Sequence, residues 1–182
     1  MHNAQTLPIS RHNQRLRDLF IVLGTSILFA LSSWISIRLP FTPVPISFTC
    51  QLILMASVFL GRRGTYATFA YLGQGLMGLP IFASGGAGLA YLFGPTGGYL
   101  IGFAIASYVV GTFSEQMKDR TSGKTLLLML TGNLMVYLFG VPHLALLIGW
   151  QKALLLGFTP FIGADVIKVM FALKGLKLIE KK

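Results

Sequence analysis

Asp165 and Lys168 lie at the start of the last apolar segment of this chain, spaced i and i+3 near its C-terminal end. On a helix that spacing puts both side chains on one face. Either charge alone costs about 2.5–3.5 kcal/mol at the centre of a membrane helix. The cost is lower for an acid near a helix N-terminus, where the dipole favours an anion. Such a pair can neutralise itself as a structural element. Facing a bundle interior it can instead hold a polar ligand, and that reading is the one preferred here. The second chemical feature is the run GLPIFASGGAG over 78–88, continued by GPTGGY over 94–99. So much Gly and Pro breaks a helix, and irregular backbone is tolerated at membrane depth only where protein or a watery cavity covers it. Around Ser84, Gly85, Gly86 and Gly88 the main chain can approach a ligand closely. Phe82, Tyr91 and Tyr99 can supply flat apolar walls.

Other chemistries are poorly supplied. The segment 94–98 has no following Lys-Ser/Thr, and in TSGKT over 121–125 the first glycine of a phosphate loop would fall at Lys118. His143 is the histidine nearest a span, and no second acid accompanies Asp165. A hydrolase needs a nucleophile with a base, or paired metal ligands, so no catalytic residue and no cofactor are expected. The single cysteine, Cys50, cannot form an intrachain disulfide, and no Cys/His spacing resembles a metal site.

The elements that must position these residues are membrane helices. Of 182 residues 54% are hydrophobic and 11% charged, against about a quarter charged in a soluble domain. Apolar segments run over 19–37, 46–60, 65–79, 97–114, 125–147 and 163–178, and about 20 residues cross a bilayer upright. The fold expected is an all-α integral membrane protein, a bundle of six transmembrane helices with a glycine-rich outer loop. It forms one domain over 1–182, with a cytoplasmic segment 1–18 and the bundle plus a short tail over 19–180. The second and third segments are short and join in a tight hairpin through Gly61-Arg62-Arg63-Gly64. The first segment follows a basic stretch as a signal peptide would, but it is too long for a signal core and is read as a retained span.

Charge sets the orientation. With the N-terminus inside, Arg11, Arg15, Arg17, Arg62, Arg63, Lys118, Arg120, Lys124, Lys174, Lys177, Lys181 and Lys182 are cytoplasmic, while Arg38 and Lys152 are outside. That is a strong positive-inside bias, and both termini are cytoplasmic. The net charge of +10 is spread over loops between spans, which argues against nucleic acid as a partner. Trp34 and Trp150 fall at the outer interface, where indoles prefer to sit. The glycine loop and the start of the last span both fall outside, so loop and charged pair converge at one mouth. Ser26, Ala30 and Ser33 place small residues on one face of the first span, which lets another helix approach, from a partner or from within the chain.

Several stretches carry a family resemblance: PFTPVPIS over 40–47, the two glycine stretches just quoted, GNLMVYLFGVP over 132–142 and PFIGADVIK over 160–168. With these in order from about residue 20 onward, the chain resembles the BioY family, the biotin-specific S components of energy-coupling-factor (ECF) transporters. The GPTGGY block with its preceding glycine run is the specific part. Three positions depart from the family pattern: Thr49 stands where Gln is usual, His143 where Trp is common, and Gly163-Ala164 where a Pro-Gly pair precedes the acid.

The resemblance implies a six-helix subunit of a bacterial cytoplasmic membrane, surrounded by lipid, that binds biotin on its outer side. Its partners would be a membrane T component and two cytoplasmic ATPases, and family members are also reported to act without them. It further implies that Asp165 and Lys168 are the polar ligand residues of the last helix and that the glycine loop is the lid. Biotin's ureido ring offers N–H donors to a carboxylate and a C=O to an ammonium, which could equally meet the valerate. A carrier for another small vitamin is the rival expectation, and a small membrane enzyme using Asp165, Lys168 and His143 a more distant one. Uptake competition separates the first, turnover by purified protein the second.

Overall fold

The structure is a computed structural model that describes residues 11–117 and 121–161. The expected sixth span, with Asp165 and Lys168, lies outside the described residues.

Helix α1 (Arg11–Trp34) is followed by two short strands, β1 (Ser36–Ile37) and β2 (Ile46–Ser47), then α2 (Thr49–Leu60) and α3 (Arg62–Leu76). Two 3₁₀ turns, Ala83–Gly85 and Leu89–Phe93, occupy the glycine-rich segment before α4 (Gly97–Gln116), α5 (Ser122–Ile148) and α6 (Trp150–Gly157). The five helices α1 to α5 coincide with the first five apolar segments. Helices α1, α4 and α5 are long and apolar enough to cross a membrane. Helix α2, with 12 residues, rises only about 18 Å at 1.5 Å per residue, well short of a hydrocarbon core of about 30 Å. The connector before it makes up part of the depth. Its β1 and β2 pair antiparallel, Ser36 with Ser47 and Ile37 with Ile46, so backbone groups are satisfied without a helix.

The expected outer loop around Trp150 and Lys152 is a helix instead. Gly149 turns the chain with φ 84, a conformation that favours glycine, and α6 starts at the next residue. Its polar Gln151 and Lys152 are exposed while Ala153 and Gly157 are buried at i and i+4. This short amphipathic pattern was masked by a search for long apolar runs.

Helices α4 and α5 make the most extensive pairing in the bundle. A Cβ on Gly102 would come within 2.8 Å of the Val136 Cα, so the two backbones approach as small residues permit in membrane bundles. At one end of the molecule α2, α3 and α4 are tied by polar contacts. Ser114 Oγ donates to the Val58 carbonyl, and Thr65 Oγ1 donates to the Ser107 carbonyl at 2.8 Å. At that same end Arg62 pairs with Glu115 at 3.1 Å and Arg63 with Asp18 at 2.9 Å. Glu115 also accepts from the Arg62 backbone N–H at 2.8 Å.

Candidate functional site

The opposite end holds a cavity. It is a partly open cavity with about 70 Å³ of free interior space. Most elements reaching this end contribute: Ser33 from α1, Val44, Pro45 and Ser47 from the connector, Thr49 and Cys50 from α2, and Tyr71 from α3. Ala83 and Tyr91 come from the glycine loop, Thr96 precedes α4, and Tyr99, Leu100 and Phe103 lie on it. Val136 and Tyr137 of α5, with Phe161, complete the wall.

Six aromatic rings thus face one space, with hydroxyls scattered between them. The hydroxyls of three tyrosines are already engaged. Tyr99 donates to the Gly157 carbonyl at 2.8 Å, tying α4 to α6, and Tyr91 donates to the Ala83 carbonyl at 3.2 Å. Tyr71 donates to the Ile81 carbonyl at 3.3 Å and meets Ser33 Oγ at 3.2 Å. What these rings offer a ligand is therefore chiefly their apolar faces. Such a wall suits a small ring system with an alkyl chain, with polar recognition left to a few placed groups.

The glycine loop is tied into the bundle by aromatic contacts and hydrogen bonds. Phe82 is fully buried and sits edge-on to Tyr71, with ring centroids 5.6 Å apart, and stacks on Tyr91 at 5.1 Å. Tyr71 in turn meets Phe29 of α1 edge-on at 6.1 Å. Such pairs contribute roughly 0.5–1.5 kcal/mol each beyond burial, so the row Phe29–Tyr71–Phe82–Tyr91 anchors the loop into the bundle. A Cβ on Gly86 would run into the Tyr91 ring, which is why the loop can lie flat against that ring. On its outer side the loop is tied to the connector. Trp34 Nε1 donates to the Pro80 carbonyl at 2.9 Å, and Arg38 donates to the Ser84 carbonyl at 3.0 Å. The Ser84 N–H donates to Ser36 Oγ at 3.0 Å. Ser84 itself has φ 61, an uncommon backbone for a serine, retained where three bonds converge on it.

Of the residues expected to contact a ligand, Tyr91 and Tyr99 line the cavity. Phe82 does not: it is the plug beneath Tyr91, because a fully apolar ring is better placed in the dry space between helices than at the wall. Ser84, Gly85, Gly86 and Gly88 lie in the loop above, with Ala83 as the loop's nearer contribution to the wall. Asp165 and Lys168 lie outside the described residues. Ser26 and Ser33 are buried inside the chain, with Ala30 partly so. Ser26 Oγ accepts from Gln74 Nε2 of α3 at 3.4 Å, and Ser33 lines the cavity. The helix they admit is the chain's own α3, so this face is not open to a partner. His143 Nε2 lies 3.1 Å from the Gly94 carbonyl oxygen; it bridges α5 to the loop before α4 and is not set up as a catalyst.

Sequence reasoning missed the contributions of Tyr71, Phe103 and Tyr137, which look like ordinary span residues. It also missed the buried carboxamides Gln51 and Asn133, whose signal was available: uncharged polar side chains in apolar segments face protein or a cavity. Of the three departures, Thr49 is buried at the cavity edge and meets Ser32 Oγ at 3.1 Å.

Comparison with known proteins agrees with this architecture. The model of the BioY family matches residues 4–182. Biotin transporter BioY2 of Lactococcus lactis is 34% identical over 173 residues, 92% of this chain and 93% of the relative. Biotin transporter BioY of Thermotoga maritima is 37% identical over 154 residues, 83% and 89% of the two chains. The fold superposes on a crystal structure of the S-component for biotin from an ECF-type ABC transporter, with TM-score 0.83 and 26% identity, over 93% of this chain and 94% of that one. With an all-α membrane bundle, an aromatic cavity under an anchored glycine loop, and a match over nearly its whole length, the chain belongs to the BioY family.

Proposed function

We propose that this protein captures biotin at the outer face of a cytoplasmic membrane and mediates its uptake, working as the S component of an ECF-type transporter. The observation that carries the reading is the cavity: aromatic faces converge under the glycine loop, at the end opposite the Arg62, Arg63 and Glu115 cluster. Arginines gather at cytoplasmic ends, so the cavity opens outward and both termini are inside. Biotin's thiophane ring and alkyl chain suit the ring faces, and its polar ends call for a few hydrogen-bonding groups. Asp165 and Lys168 are the charged residues assigned to that role, with Tyr91 and Tyr99 as walls and the backbone around Ser84, Gly85, Gly86 and Gly88 closing the mouth. The protein performs no chemistry of its own; a membrane T component and two ATPases supply the work of reorientation.

The test is equilibrium binding of labelled biotin to detergent-purified protein, with uptake into cells followed with and without an energising module. Tight binding competed by unlabelled biotin and not by other vitamins supports the reading. Failure of well-folded wild-type protein to bind biotin overturns it.

A further inference from the structure

At the end of the bundle opposite the cavity a groove runs between α4 and α5, with about 360 Å³ of free space. Its α4 wall is Phe113, Gln116 and Met117, spaced i, i+3 and i+4. Its α5 wall is Lys124, Leu127, Leu128 and Thr131, spaced i, i+3, i+4 and i+7. At those spacings each wall is one stripe of its helix. The groove is polar at one end only. Gln116, in the last turn of α4, and Lys124, in the first turn of α5, are exposed at the rim. Further along, the walls are apolar. Thr131 does not interrupt them, because its Oγ1 donates to the Leu127 carbonyl of its own helix at 2.9 Å.

The charge at the rim is not neutralised by the acids nearby. The two acids among the described residues, Asp18 and Glu115, are both taken by arginines of α3, at 2.9 and 3.1 Å. Among the described residues Lys124 therefore has no acid partner. It lies at the end where arginines gather, which is the cytoplasmic one.

We propose that this groove binds one anionic phospholipid of the inner leaflet, its phosphate on the Lys124 ammonium and an acyl chain between Phe113, Leu127 and Leu128. A cation at one end of an apolar trough complements an amphiphile with an anionic head. A soluble anion would gain nothing from the walls, and a purely apolar partner helix would strand the ammonium. The lysine stem lies along the apolar wall while its head stays at the interface. The site is separate from the aromatic cavity and does not depend on what that cavity binds.

The test titrates the detergent-purified full-length chain with phosphatidylglycerol or with phosphatidylcholine of the same acyl chains. Native mass spectrometry follows the bound lipid, wild type beside Lys124→Gln and Thr131→Trp. Wild type is expected to hold its first phosphatidylglycerol about 5-fold more tightly than phosphatidylcholine, the worth of one lysine near a membrane surface. Lys124→Gln should erase that preference and leave phosphatidylcholine unchanged, and Thr131→Trp, which fills the groove, should weaken both lipids. Equal affinity of wild type for the two lipids, or a preference that survives Lys124→Gln, overturns the proposal. Should Thr131→Trp fail to fold, the methyl NMR signal of Met117 in wild type decides. Phosphatidylglycerol is expected to shift it, and a signal that stays fixed with lipid bound overturns the proposal. A signal that moves only when a membrane T component is added assigns the groove to a protein partner and overturns it too. Biotin binding by Lys124→Gln should match wild type, so failure here and failure of the biotin reading appear in separate titrations.

Discussion

The two ends of the bundle are built on different principles. At the Arg62 end α2 and α3 follow one another across Gly61 alone, and charged side chains exposed at the rim pair between helices, Arg62 with Glu115 and Arg63 with Asp18. At the cavity end the chain leaves helical structure twice, between α1 and α2 and between α3 and α4. There each tie uses a main-chain group: Trp34 to Pro80, Ser36 and Arg38 to Ser84, Thr42 to Leu156, Tyr99 to Gly157. A closed end needs only to stop fraying. An open end has to keep a space empty, and it does so with irregular backbone pinned by aromatic rings and by hydrogen bonds to carbonyls that no helix satisfies.

If that contrast is right, substitutions at the two ends should separate cleanly. The largest effect is expected from Asp165→Asn, which removes one member of a charged pair assigned to the ligand: biotin affinity should fall about 100-fold or more in equilibrium binding, and wild-type affinity would remove Asp165 from the site. Next, Tyr91→Ala deletes a cavity wall and the ring that caps Phe82. Affinity should fall roughly 10-fold or more, with a loss of thermal stability measured without ligand, because a stacked pair is lost along with the wall. A smaller effect is expected from Ser36→Ala, which leaves the Ser84 N–H without its acceptor. Amide exchange in the loop over 80–94 should speed up while exchange in α4 and α5 stays unchanged, and biotin should weaken by about 5-fold. The smallest belongs to the other end: Glu115→Gln breaks an exposed pair worth about 0–1 kcal/mol, so binding should be unchanged. A large binding defect there would mean that the two ends are coupled, and the contrast would fail.

Much of the scaffold was legible in the chain itself. The runs at 19–37, 46–60, 65–79, 97–114 and 125–147 each became a helix, because a bilayer-length apolar segment has few other ways to satisfy its backbone. The glycine and proline residues of 78–96 were expected to be irregular, and they are, whereas Gly97 and Gly98 open α4. The site was legible only in part. Tyr91 and Tyr99 were found by their neighbourhood in the glycine loop, while Tyr71, Phe103 and Tyr137 were not, since a membrane helix is apolar on every face and its periodicity does not separate the cavity side from the lipid side. For the same reason the small residues Ser26, Ala30 and Ser33 announced a close approach without saying whose helix approaches.

From its amino acids alone this chain is committed to the membrane, to helices joined by a glycine-rich segment, and to the family that its motifs spell out, because hydrophobic length and backbone freedom are local properties. What only the tertiary structure decided is which side chains share a space. Phe82 became a plug and Tyr91 a wall, and Gln51 met Asn133 across 82 residues of sequence. Pairings of that kind depend on how helices rotate and pack against one another, a property of the assembled bundle that no single segment carries.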